Sequence, residues 1–189
     1  MKHLLIMLFA LTSLALAGCS GQQVNEGVDT TRAAEANANL GLRYMQKGNY
    51  EQALKKLKKA LYFDKSYAPA HHYMAELYRR LEKYEEADEH FQDALYYAED
   101  DSDLHNNYGA FLCSRQRYEE GEEQFLKVLD NPVYPSRDLV FENLGLCIES
   151  KPDLERAEGY LRSALRINPR LPKSLLAMAR LSFAKGEYL

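Results

Sequence analysis

The 189-residue sequence predicts an all-α fold, a solenoid of about four stacked helix pairs followed by the first helix of a fifth. A recurring pattern carries that expectation. Leu40, Gly41, Tyr44, Ala53, Leu57 and Ala60 return 34 residues on as Met74, Ala75, Tyr78, Ala87, Phe91 and Ala94. A second shift of 34 gives Tyr108, Gly109, Leu112, Gly121, Phe125 and Val128, and a shift of 36 then gives Leu144, Gly145, Ile148, Ala157, Leu161 and Ala164. The second observation is spacing: Met74, Ala75 and Tyr78 share one helix face, and Ala87, Phe91 and Ala94 share another. The third is size. Small residues at fixed places let two helix backbones approach, and the large ones fill the space beside them. One such pair cannot cover its apolar face alone, so each stacks on the next.

A period of 34 with this pattern resembles the tetratricopeptide repeat, a helix-turn-helix unit. The Trp common at the fourth position of that motif is replaced by Asn37, His71, His105 and Phe141. The repeat domain is assigned to residues 34–189. Its pairs are expected at Glu35–Lys47 with Tyr50–Phe63, Ala68–Leu81 with Tyr84–Ala98, Ser102–Arg115 with Tyr118–Asp130, and Asp138–Ser150 with Leu154–Ile167. Lys47-Gly48-Asn49 forms the first turn, and Asp101 and Ser102 the turn and cap before the third pair. Pro69 lies early in its helix, where a missing N–H is tolerated. The 131–137 linker holds the two extra residues of the longer period, and its two prolines make it a stiff break. Met178, Ala179 and Ser182 begin a fifth pair after Pro172, and Gly186-Glu187-Tyr188 announces a second helix that Leu189 cuts short. With no polar cap in view, a chain truncated at its C-terminus is expected, with a partner that covers the end as the alternative.

Residues 1–18 read as a signal peptide: Lys2 is the positive region, and Leu4 to Leu16 is an apolar run short for a membrane span. Leu16-Ala17-Gly18-Cys19 resembles the bacterial lipobox, which implies that Cys19 is acylated and starts the mature chain. This covalent lipid is the one non-protein group expected; no cofactor or metal is. Ser20 follows where an inner-membrane lipoprotein usually has Asp, so the outer membrane is the expected address. Residues 19–33 form the lipidated Cys and a polar, flexible tether. Lys55, Lys56, Lys58 and Lys59 make either a solvated outer face or a contact with anionic headgroups near the anchor.

A net charge of −4 offers no broad basic field for nucleic acid. The tyrosines recurring at second-helix starts (Tyr50, Tyr84, Tyr118 and Tyr188) are read as packing residues. His71 and His72 are adjacent and point apart, and with His90 and His105 they show no metal-ligand spacing. The acidic stretch 82–103 lacks a calcium-loop pattern. No Ser-His-Asp set and no Gly-rich phosphate loop is present, so no catalytic residue is assigned. Cys113 and Cys147 lie on first helices of neighbouring pairs, at repeat positions twelve and ten. Those positions differ in direction, so buried or groove-lining thiols are expected, with a disulfide as the alternative.

First helices line the inner face of such a solenoid. At repeat positions two, five, nine and twelve the groove candidates are Leu42, Met45, His72, Glu76, Arg79, Asn106, Ala110, Cys113, Leu139, Glu142, Leu146 and Glu149. Leu42 and Met45 are read either as apolar partner contacts or as packing, and Arg79 and Glu142 either as partner charges or as solvated ones. Ala38 and Leu42 stand where repeat proteins that clamp C-terminal carboxylates carry Lys and Asn, so that clamp is excluded.

Lipobox, polar tether and repeats together resemble the type IV pilus pilotins of the PilF/PilW family. The stretches that carry the likeness are 36–42 with 50–54, His105 to Cys113, and Val140 to Cys147. The resemblance implies a non-enzymatic outer-membrane lipoprotein facing the periplasm. It implies as partners the type IV pilus secretin, which such proteins help to localise and multimerise, and the lipoprotein sorting machinery. The alternative is another periplasm-facing repeat lipoprotein, an adaptor for peptidoglycan enzymes or for barrel assembly.

Overall fold

The computed structural model describes residues 26–149 and 153–186, which form nine α-helices and no strand. The first helices of the pairs are α1 (Glu26–Gln46), α3 (Ala68–Arg80), α5 (Ser102–Ser114), α7 (Arg137–Glu149) and α9 (Pro172–Lys185). The second helices are α2 (Tyr50–Phe63), α4 (Tyr84–Tyr97), α6 (Tyr118–Leu129) and α8 (Leu154–Ile167). The expected pairs are all there, in order.

Five of the helices start on a local chemical signal. Asn49, Asp101 and Asp153 accept from the backbone N–H of Gln52, Leu104 and Arg156, satisfying donors that have no partner within the helix. Proline stands in the first turn of α3 and α9. The turns inside the first three pairs need one left-handed residue each. Gly48 supplies it in the first, but Glu82 (φ 58°) and Gln116 (φ 62°) supply it in the next two, at a steric cost glycine avoids.

Three buried clusters run along the solenoid, each joining one pair to the next. Ala53, Leu57 and Ala60 pack with Met74 and Leu77; Ala87, Phe91 and Ala94 pack with Tyr108, Phe111 and Leu112; Phe125 and Val128 pack with Leu144, Ile148 and Leu161. Small residues make the closest approaches. A Cβ at Gly145 would sit 2.7 Å from Leu161 Cγ, and one at Gly121 would sit 3.0 Å from the Gly109 carbonyl oxygen. The 131–137 linker is pinned: Arg137 Nη1 donates to the carbonyls of Leu129 (2.7 Å) and Asn131 (2.8 Å), and Tyr134 donates to Asp103 (2.6 Å).

Two expectations are corrected. Residues 26–32 belong to α1 rather than to a flexible tether. Ala34 and Ala38 are buried, so the helix is already nucleated beyond this point, and extending it backwards costs little. The second correction is that Cys113 and Cys147 form a disulfide, with Cα atoms 5.4 Å apart, rather than standing as thiols. Neighbouring first helices are not in register at their C-terminal ends. Glu149, at position twelve like Cys113, pairs with Arg180 three places earlier in the next repeat pattern. A shift in the same direction, by two places, brings position twelve of α5 onto position ten of α7.

Closing a loop across 34 residues of sequence stabilises the fold by about 3–4 kcal/mol through the unfolded chain. Replacing both cysteines by alanine is therefore expected to lower the urea midpoint of the transition that involves α5 to α7, and reduction of the native chain should do the same. In the turns, Glu82→Gly and Gln116→Gly are each expected to raise stability by about 0.5–1 kcal/mol, measured by the same titration.

Candidate partner groove

The first helices lie side by side, and polar side chains tie α3 to α5, α5 to α7 and α7 to α9. Asn107 Nδ2 on α5 donates to His72 Nε2 on α3 (3.0 Å), and Asn143 Nδ2 on α7 donates to Asn106 Oδ1 on α5 (3.2 Å). Burial holds the His72 imidazole below its usual pKa, against the pull of Glu76, Asp101 and Asp103, so it stays a neutral acceptor for Asn107. Asn107 and Asn143 were not among the candidates. The signal was available, because they occupy one repeat position, next to Asn106 and Glu142.

The charged candidates are already paired. Arg79 donates to Glu76 one turn earlier on α3 (2.9 Å), and Glu149 receives two bonds from Arg180 on α9 (2.7 and 2.8 Å). Ala110 is exposed, and it lines a pocket of about 250 Å³ between α5 and α7 with Leu146, Asn143, Phe125 and the Cys113–Cys147 bridge. Leu139 is exposed at the start of α7, and Leu42 is half-buried against the first cluster. A second pocket, about 200 Å³, lies between α3 and α5 and mixes His72 and Tyr73 with Asp101 and Asp103.

Three candidates do not offer a free side chain to a groove. Met45 is buried in the first cluster, because its place on α1 faces α2 and α3. Glu142 is buried as well. Its Oε2 accepts from the Ser174 backbone N–H (3.0 Å) and hydroxyl (2.7 Å), so it caps the N-terminus of α9, where a carboxylate meets unpaired N–H groups and the positive end of the helix dipole. Cys113 contributes through its disulfide. Cys19 and the rest of residues 1–25 lie outside the described residues.

The histidines differ from expectation too. His71 and His90 come from the two helices of one pair, and their Nδ1 atoms lie 3.1 Å apart beside the Asp93 carboxylate. Sequence spacing along a single helix could not show this, since the two stand 19 positions apart with the turn between them.

Comparison with known proteins agrees with this architecture. A family model described as TPR repeat matches residues 41–82, and one described as tetratricopeptide repeat matches residues 74–136 and 114–172. The chain is 38 % identical over 183 residues to the type IV pilus assembly protein PilF of Pseudomonas aeruginosa, covering 95 % of this chain and 73 % of that one. The solved structure of P. aeruginosa PilF superposes with a TM-score of 0.79 over 85 % of this chain and 72 % of that chain, at 38 % identity. The structure of PilW, described as a widely conserved type IV pilus biogenesis factor, gives 0.77 at 32 % identity, over 82 % of this chain and 70 % of that one. With its repeat period, its helix pairs and this likeness along nearly its whole length, the chain belongs to the PilF/PilW family of tetratricopeptide-repeat proteins of type IV pilus biogenesis.

Proposed function

We propose that this protein is an outer-membrane lipoprotein that binds the type IV pilus secretin and promotes its localisation and assembly into a ring. The observation that carries this reading is the family membership, at 38 % identity over 95 % of the chain. Three further features support it. The Leu16 to Cys19 motif has the residues of a lipidation site. The Cys113–Cys147 bridge suits an oxidising compartment such as the periplasm. And the first helices present a face built for contact rather than for bond-making, so the protein acts by binding and not as an enzyme.

On this reading the work is divided between two ends of the chain. The acyl chains on Cys19 supply the address, each buried methylene adding about 0.8 kcal/mol of membrane affinity. The groove supplies the cargo. Ala110, Leu146 and Leu139 offer apolar contact, while Asn106 and His72 offer hydrogen-bonding groups at intervals along the same face. Because Glu76–Arg79 and Glu149–Arg180 are neutralised internally, a secretin segment gains more from apolar burial than from charge. The lipoprotein sorting machinery would carry the anchored protein, and the secretin would travel with it.

Two variants separate address from cargo. In cells making the full-length protein, Cys19→Ala is expected to leave secretin rings misplaced or unassembled, read as loss of heat-labile, SDS-resistant multimer from the outer-membrane fraction. Ala110→Arg with Leu139→Arg changes only exposed positions, so the protein should remain folded and membrane-bound while secretin multimer is lost. Normal amount and placement of the ring after deletion of the gene would overturn the proposal and move an adaptor role for another envelope partner to the front.

A further inference from the structure

The second repeat holds a cluster that the groove does not use. His71 is buried on α3, and His90 and Asp93 stand one turn apart on α4. His71 Nδ1 lies 3.1 Å from His90 Nδ1 and 3.3 Å from Asp93 Oδ2, and the last two atoms are 4.0 Å apart. The point equidistant from these three donors lies about 2.0–2.1 Å from each, the bond length zinc takes to imidazole nitrogen and carboxylate oxygen.

The surroundings fix the rings in a ligating orientation. His71 Nε2–H donates to the Lys65 carbonyl (2.9 Å), which leaves Nδ1 with a lone pair facing the cluster. A metal-bound imidazole needs that kind of support on its far nitrogen. The Tyr78 ring stacks on His90 (5.5 Å between centroids, 11° between planes), and the Tyr97 ring packs against His71 (5.6 Å). Asp93 is more than half exposed, so the cluster opens to solvent on one side and a water can complete the coordination.

The next repeat acts as an internal control. His105 stands 34 residues after His71 and donates through Nε2 to the Glu99 carbonyl (2.7 Å), the same six-residue reach. Its Nδ1 lies 2.7 Å from the end of the Gln124 side-chain amide, and with the ring proton on Nε2 it is the amide N–H that donates to Nδ1; Gln124 is the counterpart of His90, and Lys127 that of Asp93. An amide therefore suffices where the task is only to tie the two helices together. The second repeat instead brings a second imidazole and a carboxylate to the same place.

We infer that His71, His90 and Asp93 form a binding site for a divalent transition-metal ion, zinc foremost, that ties α3 to α4. Without metal, His90 Nδ1–H donates to His71 Nδ1. With zinc, both Nδ1 lone pairs and one carboxylate oxygen coordinate the ion, and the His90 proton resides on Nε2. The ion then holds α3, which carries His72 and Glu76 into the groove, against its own second helix. Two imidazoles and one carboxylate are a ligand set typical of zinc with an open position.

The test is calorimetric titration of the detergent-purified, disulfide-intact full-length chain with zinc chloride. A visible cobalt(II) spectrum reports the coordination geometry. The expected result is one equivalent bound in the micromolar range. His90→Gln with Asp93→Lys, which copies the third repeat, should keep the helical circular-dichroism signal and weaken zinc binding about 100-fold or more. Asp93→Asn, at an exposed position, should weaken it about 10-fold and serves if the double variant does not fold. No binding to the native chain at about 1 mM zinc, or equal affinity in the native chain and a folded variant, would overturn the assignment.

Discussion

Everything in this molecule depends on how closely the two helices of a pair approach. Gly41, Gly109 and Gly145 carry no side chain on the first helix and Ala75 only a methyl, and Leu57, Phe91, Phe125 and Leu161 fill the opening from the second. At Gly41 and Gly145 a single added carbon would stand under 3 Å from the leucine it faces. Interiors packed at this density transmit a misfit instead of absorbing it. The tilt of each pair, and so the alignment of one first helix with the next, follows from these contacts. The groove is a consequence of that alignment.

The repeat made the fold legible. A pattern returning every 34 residues gives the helix faces, the turns and the order of stacking without any long-range information, because each pair contacts only its neighbours. What the sequence concealed lies between helices. Position numbers along single helices set Cys113 and Cys147 apart, whereas the offset between α5 and α7 brings them together. His71 and His90 were invisible as a pair for the same reason. Glu142 was counted as a groove charge because its repeat position usually faces the groove; here the incoming end of α9 covers it and uses its carboxylate as a cap. The tether was read from polarity, and polarity does not stop a helix that packing further along has already nucleated.

Of the groove itself, the surface at exposed Ala110 and half-buried Leu146 and the polar row through His72 and Asn106 were legible as positions. Their partners Asn107 and Asn143 share one repeat position, so they were legible too, but they lie outside the four positions taken to face the groove. These bonds between neighbouring first helices, with the disulfide, fix the inner face before any partner arrives. A face ordered in advance loses little side-chain freedom on binding, so modest apolar contact is enough for useful affinity. The internal pairing of Arg79 and of Arg180 also limits attraction of unrelated acidic segments.

The central claim is that the partner lies along the first helices of the solenoid. Hydrogen exchange on the purified protein, with and without saturating type IV pilus secretin, tests it most directly. The account predicts that added protection is concentrated in α5 and α7, around Asn106, Ala110 and Leu146, with the second helices unchanged. Protection confined to α2, α4 or α6 would place the partner on the opposite face and contradict the account.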